Sequence, residues 1–357
     1  MTARPQTHPS PSDAPASSPQ RTEVMREDSD GYDTLGDDDA HDTIPDGTLV
    51  AGGRLRVGEW IARGAMATVY QAIEVASGRK VALKVLGGKY ADLPDAEPRL
   101  FAEAKYAAKL GNHPNIVEPL YWGNLDEWHG RAYLVSEIVE GPTLKGYLLG
   151  HEVSTAAICE LLRDVAAVLA DVHGLGIIHR DVKPSNVLVA EEDGVLIPKL
   201  TDFGLATTLD RLEPSLADAR LTQEFERLGT KHYMAPEQCL GLPLTMACDV
   251  YALGVTAFEC FVGSPPWGGR AEVEVVQRKC DATQPSFSLA RMQLGLPERL
   301  ATIVDAALAF DPAARPSARE FHDELAAVVR ALQRGDAGFV DVPTRELVRR
   351  ASERVDV

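Results

Sequence analysis

Three short clusters hold the residues of this chain that could do chemistry. Val81-Ala82-Leu83-Lys84 puts an ammonium on an otherwise apolar run, His179-Arg180-Asp181-Val182-Lys183-Pro184-Ser185-Asn186 gathers charged and amide side chains, and Asp202-Phe203-Gly204 adds a carboxylate. An unpaired ammonium on a half-buried strand is costly, so Lys84 requires an anion. Taken singly, Asp181, Asn186 and Asp202 could be turn formers.

The elements that must position these clusters follow from apolar periodicity. Strand-like runs at 55–60, 68–75 and 80–86, the last two joined by Ala76-Ser77-Gly78, predict an antiparallel hairpin. A helix-compatible segment at 96–110 and strand candidates at 116–121 and 131–138 complete a small sheet crossed by one helix. After Gly141 the pattern turns helical. Ser154 is placed to cap a helix whose Ile158, Leu161, Leu162, Val165, Leu169 and Val172 recur at three- and four-residue spacing, ending at Gly174 and Gly176. Strands at 187–189 and 195–200 flank the Glu192-Asp193-Gly194 turn and would hold the clusters around Asp181 and Asp202 side by side. Further helices are predicted at 247–261, 298–309 and 317–332, the last opened by Ser317 and Glu320 at capping-box spacing. The fold class is α+β: a small antiparallel lobe with one main helix, then a larger, mainly α lobe.

The chain has 357 residues and a formal net charge of −17, which disfavours a nucleic-acid binder held by phosphate contacts. Residues 1–50 carry 11 acidic and 3 basic side chains, a net of −8 that leaves −9 for the rest. That Pro-, Ser- and Thr-rich stretch has no apolar periodicity and reads as a disordered acidic tail. Five cysteines without a C-x-x-C pair read as reduced thiols. No apolar N-terminal run suggests a secretory leader. The longest apolar stretch, 250–263, is broken by Glu259 and falls short of the roughly 20 residues of a membrane span. A cytoplasmic protein without a membrane span is expected.

Over about residues 53–331 the ordered motifs resemble those of eukaryotic-type (Hanks-type) bacterial serine/threonine protein kinases. The resemblance implies a two-lobed protein-kinase fold, with an N-lobe at 53–140 and a C-lobe at 141–331, between the tail at 1–50 and a C-terminal extension at 332–357. It implies transfer of the ATP γ-phosphate to protein serine or threonine hydroxyls, with autophosphorylation, and a need for Mg²⁺, Mn²⁺ being the other candidate. Such transfer needs positioning and charge neutralisation more than covalent chemistry. Asp181 would accept or orient the hydroxyl proton and Lys183 would contact the γ-phosphate, which favours Ser/Thr over Tyr substrates. Asp202 and Asn186 would ligate metal, Lys84 would reach the α- and β-phosphates, and Glu103 would be its partner. For Glu103 the plain alternative is a solvated helix carboxylate near Lys105 and Lys109.

The phosphate-covering loop departs from the family's G-x-G-x-x-G-x-V. Here Ile61 precedes Ala62-Arg63-Gly64-Ala65-Met66-Ala67-Thr68-Val69, which keeps only the middle glycine. Ala62 and Ala67 should stiffen a loop that glycine serves through φ > 0 and close backbone approach. Ser136-Glu137-Ile138-Val139 resembles the hinge, with backbone groups of Glu137 and Val139 bonding adenine, Val69 and Ala82 sandwiching its ring, and the small Ser136 leaving the pocket behind it open. Gly229-Thr230 and Ala235-Pro236-Glu237 resemble the end of the activation segment. Glu237 would pair with Arg315, and Asp249 would anchor the catalytic-loop backbone.

For regulation, Arg180 is expected to pair with an activation-segment anion, Glu224 and Glu226 standing where bacterial relatives carry phosphorylated threonines. Thr222, Thr207, Thr208 and Ser215 are further candidate phosphosites. Thr34 and Thr43 could be phosphorylated and read by phosphothreonine-binding modules. The basic amphipathic segment at 343–357 could fold onto the kinase surface or the acidic tail. The rivals are a pseudokinase scaffold with weak nucleotide binding, motivated by Ala62 and Ala67, and a small-molecule phosphotransferase, which the Ala-Pro-Glu motif opposes.

Overall fold

The computed structural model describes residues 43–64, 66–91, 93, 96–208, 230–283 and 287–353. Its first lobe is a six-stranded antiparallel sheet of β1 (Leu49–Val50), β2 (Leu55–Arg63), β3 (Ala67–Glu74), β4 (Lys80–Leu86), β5 (Pro119–Leu125) and β6 (Arg131–Glu137), in the order β1-β2-β3-β4-β6-β5. Alternation along β4 decides what each face does. Val81, Leu83 and Val85 point into one core with Leu55, Val57, Tyr70 and Val135. Ala82 and Lys84 point to the other side, where the short α1 (Gly88–Ala91) leads into α2 (Ala96–Lys109). Leu100 and Ala104 of α2 pack there on Leu86 and Leu134. Each buried leucine there contributes roughly 1.5–3 kcal/mol.

The composition-based tail boundary at residue 50 is too late. Ile44 is buried with its N–H donated to the Tyr70 hydroxyl at 3.0 Å, and β1 pairs with β2 through Leu49–Arg56 and Val50–Leu55. A two-residue strand has no periodicity to find, so acidic composition masked it.

The second lobe is built on α3 (Leu144–Gly150) and α4 (Thr155–Gly174), with α4 capped by the Ser154 hydroxyl accepting from Ala157 N–H at 3.1 Å. Then come β7 (Ile177–Ile178), β8 (Val187–Glu192), β9 (Val195–Leu200) and β10 (Thr207–Thr208). The β8–β9 hairpin is longer than predicted, and β7 pairs with β10. Helices α5 (Pro236–Cys239), α6 (Ala247–Val262), α7 (Glu272–Lys279), α8 (Glu298–Ala307) and α9 (Ala318–Arg334) follow. From Cys248 to Val262 every residue of α6 is buried, so it forms the axis of the lobe. The Ser317–Glu320 capping box forms as predicted.

The last helix, α10 (Thr344–Ser352), lies on this lobe rather than apart from it. Thr344 N–H donates to Val153 O at 2.8 Å, Leu347 and Ala351 are buried, and Val348 abuts Gly263. Its arginines are largely self-neutralised, since Arg349 and Arg350 both pair with Glu346. Among the described residues no helix is long and apolar enough to cross a membrane.

The lobes meet through one continuous connection. Gly141 passes so close to β8 that a Cβ there would lie 2.0 Å from Val189 O, which leaves room only for glycine. A bridge between Ile116 and Leu200 and the bond from Asn115 Nδ2 to Pro198 O at 2.9 Å tie the first lobe to the hairpin.

Candidate active site

Strand register assembles the upper wall. β3 sets Val69 opposite Lys84, and β6 sets Ser136 opposite Ala82, so these four side chains share the face that looks into the inter-lobe cleft. Lys84 Nζ lies 2.7 Å from Glu103 Oε2 and 3.2 Å from Asp202 Oδ1. The sequence required an anion for Lys84, and the fold delivers two. Burial opposes the Lys84 charge, but Asp202 and Glu103 outweigh it and hold the ammonium above its usual range. Burial pushes the Glu103 carboxyl up to about 7 against the pull of Lys84. Burial likewise opposes ionisation of Asp202, but Lys84 and Lys183 prevail and hold it below the usual carboxylate range.

The lower wall is the segment between α4 and β8. Asp181 Oδ2 accepts from Lys183 Nζ at 3.0 Å and from Asn186 Nδ2 at 2.9 Å, while Asn186 Nδ2 also donates to Asp181 O at 2.8 Å. Asp181 Oδ1 is buried and takes no hydrogen bond among the described residues. A buried carboxylate oxygen left unpaired costs of order 1–3 kcal/mol, a penalty that a donor entering the cleft would remove.

This loop is held from below by Asp249. Its carboxylate is inaccessible and accepts from His173 Nε2 at 2.8 Å, His179 N at 2.8 Å and Arg180 N at 2.7 Å. Burial raises its pKa, but the His173 hydrogen bond and the backbone donor of His179 keep it below the usual value. Arg180 (φ 71°) and Asp202 (φ 67°) both occupy the left-handed region, which costs non-glycine residues roughly 1–3 kcal/mol. The Phe203 ring packs edge-on against His179 at 4.6 Å, so the two strained loops are wedged together. Gly204 lies close beside them, where a Cβ would stand 3.2 Å from Asp202 Oδ1 and press on it.

The residues matched to the phosphate-covering loop form the tip of the β2–β3 hairpin. Ala62 pairs with Val69, Arg63 with Thr68, and Gly64 N–H donates to Ala67 O at 2.8 Å. Ile61 and Ala62 are exposed, Met66 is half-buried and packs toward Leu86, and Ala65 lies outside the described residues. Contrary to the expected use of glycine, Gly64 does not enter the left-handed region, and a Cβ there would make only an ordinary contact at 3.4 Å. At the inter-lobe connection, Glu137 N–H donates to Glu118 O at 2.9 Å, whereas Val139 makes no backbone hydrogen bond among the described residues. The Glu137 side chain accepts from Lys199 Nζ at 2.8 Å.

Glu237 and Arg315 pair as anticipated, almost inaccessible, through bonds of 2.6 and 2.8 Å. Arg315 spends its remaining donors on Ala309 O, Phe310 O and Ala247 O. The Arg180 guanidinium forms no ion pair among the described residues, and Thr34, Ser215, Thr222, Glu224 and Glu226 lie outside them. Sequence reading missed Lys279, buried on α7 and bonded to three carbonyls of residues 231–234. A basic residue in a last helical turn looks ordinary, so nothing local marks it.

A sequence profile of the protein kinase domain matches residues 55–325. The chain belongs to the protein kinase family. It is 35% identical over 280 residues to the serine/threonine-protein kinase PknA of Mycobacterium tuberculosis, covering 77% of this chain and 61% of PknA. It is 33% identical over 261 residues to PrkC of Bacillus subtilis, covering 73% of this chain and 38% of that protein. The chain thus spans about three fifths or less of the length of these curated relatives. Among solved structures, a cysteine-to-alanine variant of the PknI kinase domain of M. tuberculosis superposes with a TM-score of 0.59 at 27% identity, covering 80% of this chain and 98% of that one. The two-lobed α+β architecture is therefore the protein-kinase fold, and this family uses ATP with a divalent metal.

Proposed function

We propose that this kinase transfers the γ-phosphate of ATP to serine and threonine hydroxyls of proteins, its own chain included. The observation that carries the reading is the convergence of Lys84, Glu103 and Asp202 opposite an Asp181 whose Oδ1 is buried without a partner. Lys84, held charged, binds the α- and β-phosphates, and Glu103 fixes its position. Val69 and Ala82 enclose adenine, and the Glu137 and Val139 backbone bonds its edge. Asp181 takes the hydroxyl proton at Oδ1, and Lys183 draws the γ-phosphate towards it.

The donor set fits a hard divalent cation, which we take to be Mg²⁺ in preference to Mn²⁺. Asn186 turns its Nδ2 to Asp181, leaving its amide oxygen to face metal, and Asp202 has a carboxylate oxygen beyond the one bonded to Lys84. Mg²⁺ is typically bound by one or two such oxygens, with substrate phosphates and water completing its shell. A metal held by Asp202 and Asn186 would supply positive charge to offset that of the phosphates beside Lys84. Alanines at Ala62 and Ala67 are compatible with this, because both sit in strand pairing and neither is held at positive φ.

The protein substrates, a cytoplasmic setting and recognition of phosphorylated Thr34 or Thr43 by phosphothreonine-binding modules complete the proposal. Its test is radiolabel transfer from γ-labelled ATP: the wild type should label itself and an added protein, and Asp181→Asn should label neither. Equal labelling by the two would refute the assignment.

A further inference from the structure

Lys279, at the end of α7, is 3% accessible, yet no carboxylate pairs with it among the described residues. Its ammonium instead donates to three main-chain carbonyls of one short segment: Lys231 O at 2.9 Å, His232 O, and Met234 O at 3.0 Å. All three N–H donors are thereby used on a stretch that has only a single 3₁₀ turn of its own. Without the lysine these carbonyls would lose the donor that ties them to α7.

That stretch lies against the catalytic loop. Four residues beyond it in sequence, Gln238 Nε2 donates to Arg180 O at 3.4 Å, next to Asp181. Burial, then Glu259, and also Asp181 raise the Tyr233 phenol, which places Tyr233 within electrostatic reach of the hydroxyl-accepting carboxylate. The segment thus adjoins the side of the site at which a protein hydroxyl would reach Asp181.

We infer that Lys279 is a positioning residue for the protein substrate: by bonding three carbonyls of residues 231–234 it sets the shape of the surface that receives the chain around the phosphoacceptor. This rests on the kinase reading above and adds a determinant outside the motifs that bind ATP. The lysine's surroundings make the arrangement sensitive to pH. Facing it are the Tyr251 ring at 5.4 Å, with Arg315 on the same ring, and the thiols of Cys239 and Cys280. His232 and Lys231 belong to the held segment, Lys231 being paired with Glu272 at 3.5 Å, and Arg278 and Asp281 line the same cleft. Burial outweighs the thiols and lowers the Lys279 pKa to about 7. The neutral amine has two N–H donors for three carbonyls, so one carbonyl loses its bond as pH rises through that value.

The test is steady-state kinetics of the full chain with myelin basic protein as substrate, in wild type, Lys279→Met and Lys279→Gln, from pH 6 to 8.5. In Lys279→Met the KM for the protein should rise at least tenfold at pH 6.5, with KM for ATP and kcat within about twofold of wild type; Lys279→Gln, with two donors, should fall between. The wild-type protein KM should climb between pH 6.5 and 8 while that of Lys279→Met stays flat. Should Lys279→Met fail to fold, the wild-type and Lys279→Gln profiles decide alone. An active wild type with a pH-independent protein KM, or variants with unchanged protein KM, would overturn the inference while leaving the kinase reading intact. A wild type that transfers no phosphate would overturn both.

Discussion

Replacing Asp249 by asparagine tests whether the fold holds the catalytic loop in a conformation it would not choose. The carboxylate satisfies three donors, with Oδ2 taking His173 Nε2 and His179 N and Oδ1 taking Arg180 N. An asparagine oxygen can replace only one of these acceptors. Its best placement serves the two donors at Oδ2 and turns the NH₂ group towards Arg180 N–H, donor against donor. The bond lost is charge-assisted, worth roughly 1.5–3 kcal/mol, and the stranded buried N–H adds to it, so Asp249→Asn should destabilise by about 3 kcal/mol. For a domain of this size that is a fall in Tm of about 6–12 °C. The same bond holds Arg180 at φ 71°, strained by of order 1 kcal/mol or more. Released, residue 180 relaxes and carries Asp181 with it, and a displacement near 1 Å costs about 100-fold in rate. Calorimetry with single-turnover phosphoryl transfer reads both quantities. A variant whose Tm stays within 2 °C and whose rate stays within threefold of wild type would refute the argument.

Other expectations follow from the same contacts. Arg315 uses every one of its donors, and lysine has fewer and no fork, so Arg315→Lys should cost about 3 kcal/mol in urea unfolding; less than 1 kcal/mol would contradict the pairing. Gly141→Ala would drive a Cβ into Val189 O, and should lower soluble yield or Tm, while Gly174→Ala, where a Cβ meets nothing and φ is not positive, costs far less; equal losses would show that the close approach is not limiting. The Glu103 carboxyl sits at about 7, raised from its unfolded value, so it takes up a proton as pH falls through that point and loosens its hold on Lys84. kcat/KM for ATP should therefore fall below about pH 7, and Glu103→Gln should flatten that limb at a lower plateau; a wild-type profile flat from pH 6 to 8 argues otherwise. Ser136→Met should weaken adenine analogues with bulky substituents by tenfold or more, and unchanged potency would remove the idea that Ser136 leaves the rear of the pocket open.

What the sequence could announce was set by range. The β8–β9 hairpin, the capped α4 and the α9 capping box rest on residues within a few positions of one another, so periodicity and turn chemistry found them. Strand 116–121 starts later than read because Ile116 bridges to Leu200 instead of joining β6, a choice made by a residue far along the chain. The pairing of Lys84 was inferable in kind, since a lysine on an apolar strand demands an anion, but that both Glu103 and Asp202 answer depends on how two lobes meet. Lys279 was invisible for the converse reason. Its neighbours on α7 are those of a solvated amphipathic helix, and what buries it, the segment at 231–234 together with Tyr251 and Cys239, lies far from it in sequence.

The strained residues tie these threads together. Arg180 adjoins the catalytic Asp181 and Asp202 is itself a site carboxylate, and both sit in a backbone region that glycine would enter more cheaply. Neither strain is relieved locally; Arg180 is bonded to Asp249 on α6, and Asp202 is held by Lys84 from the other lobe. The conformation of each chemical residue is thus stabilised by an element that makes no contact with the reacting hydroxyl. Separation of the lobes would release Asp202, and loosening of α6 would release Asp181, so stability of the large hydrophobic core is a condition of catalysis rather than a background to it.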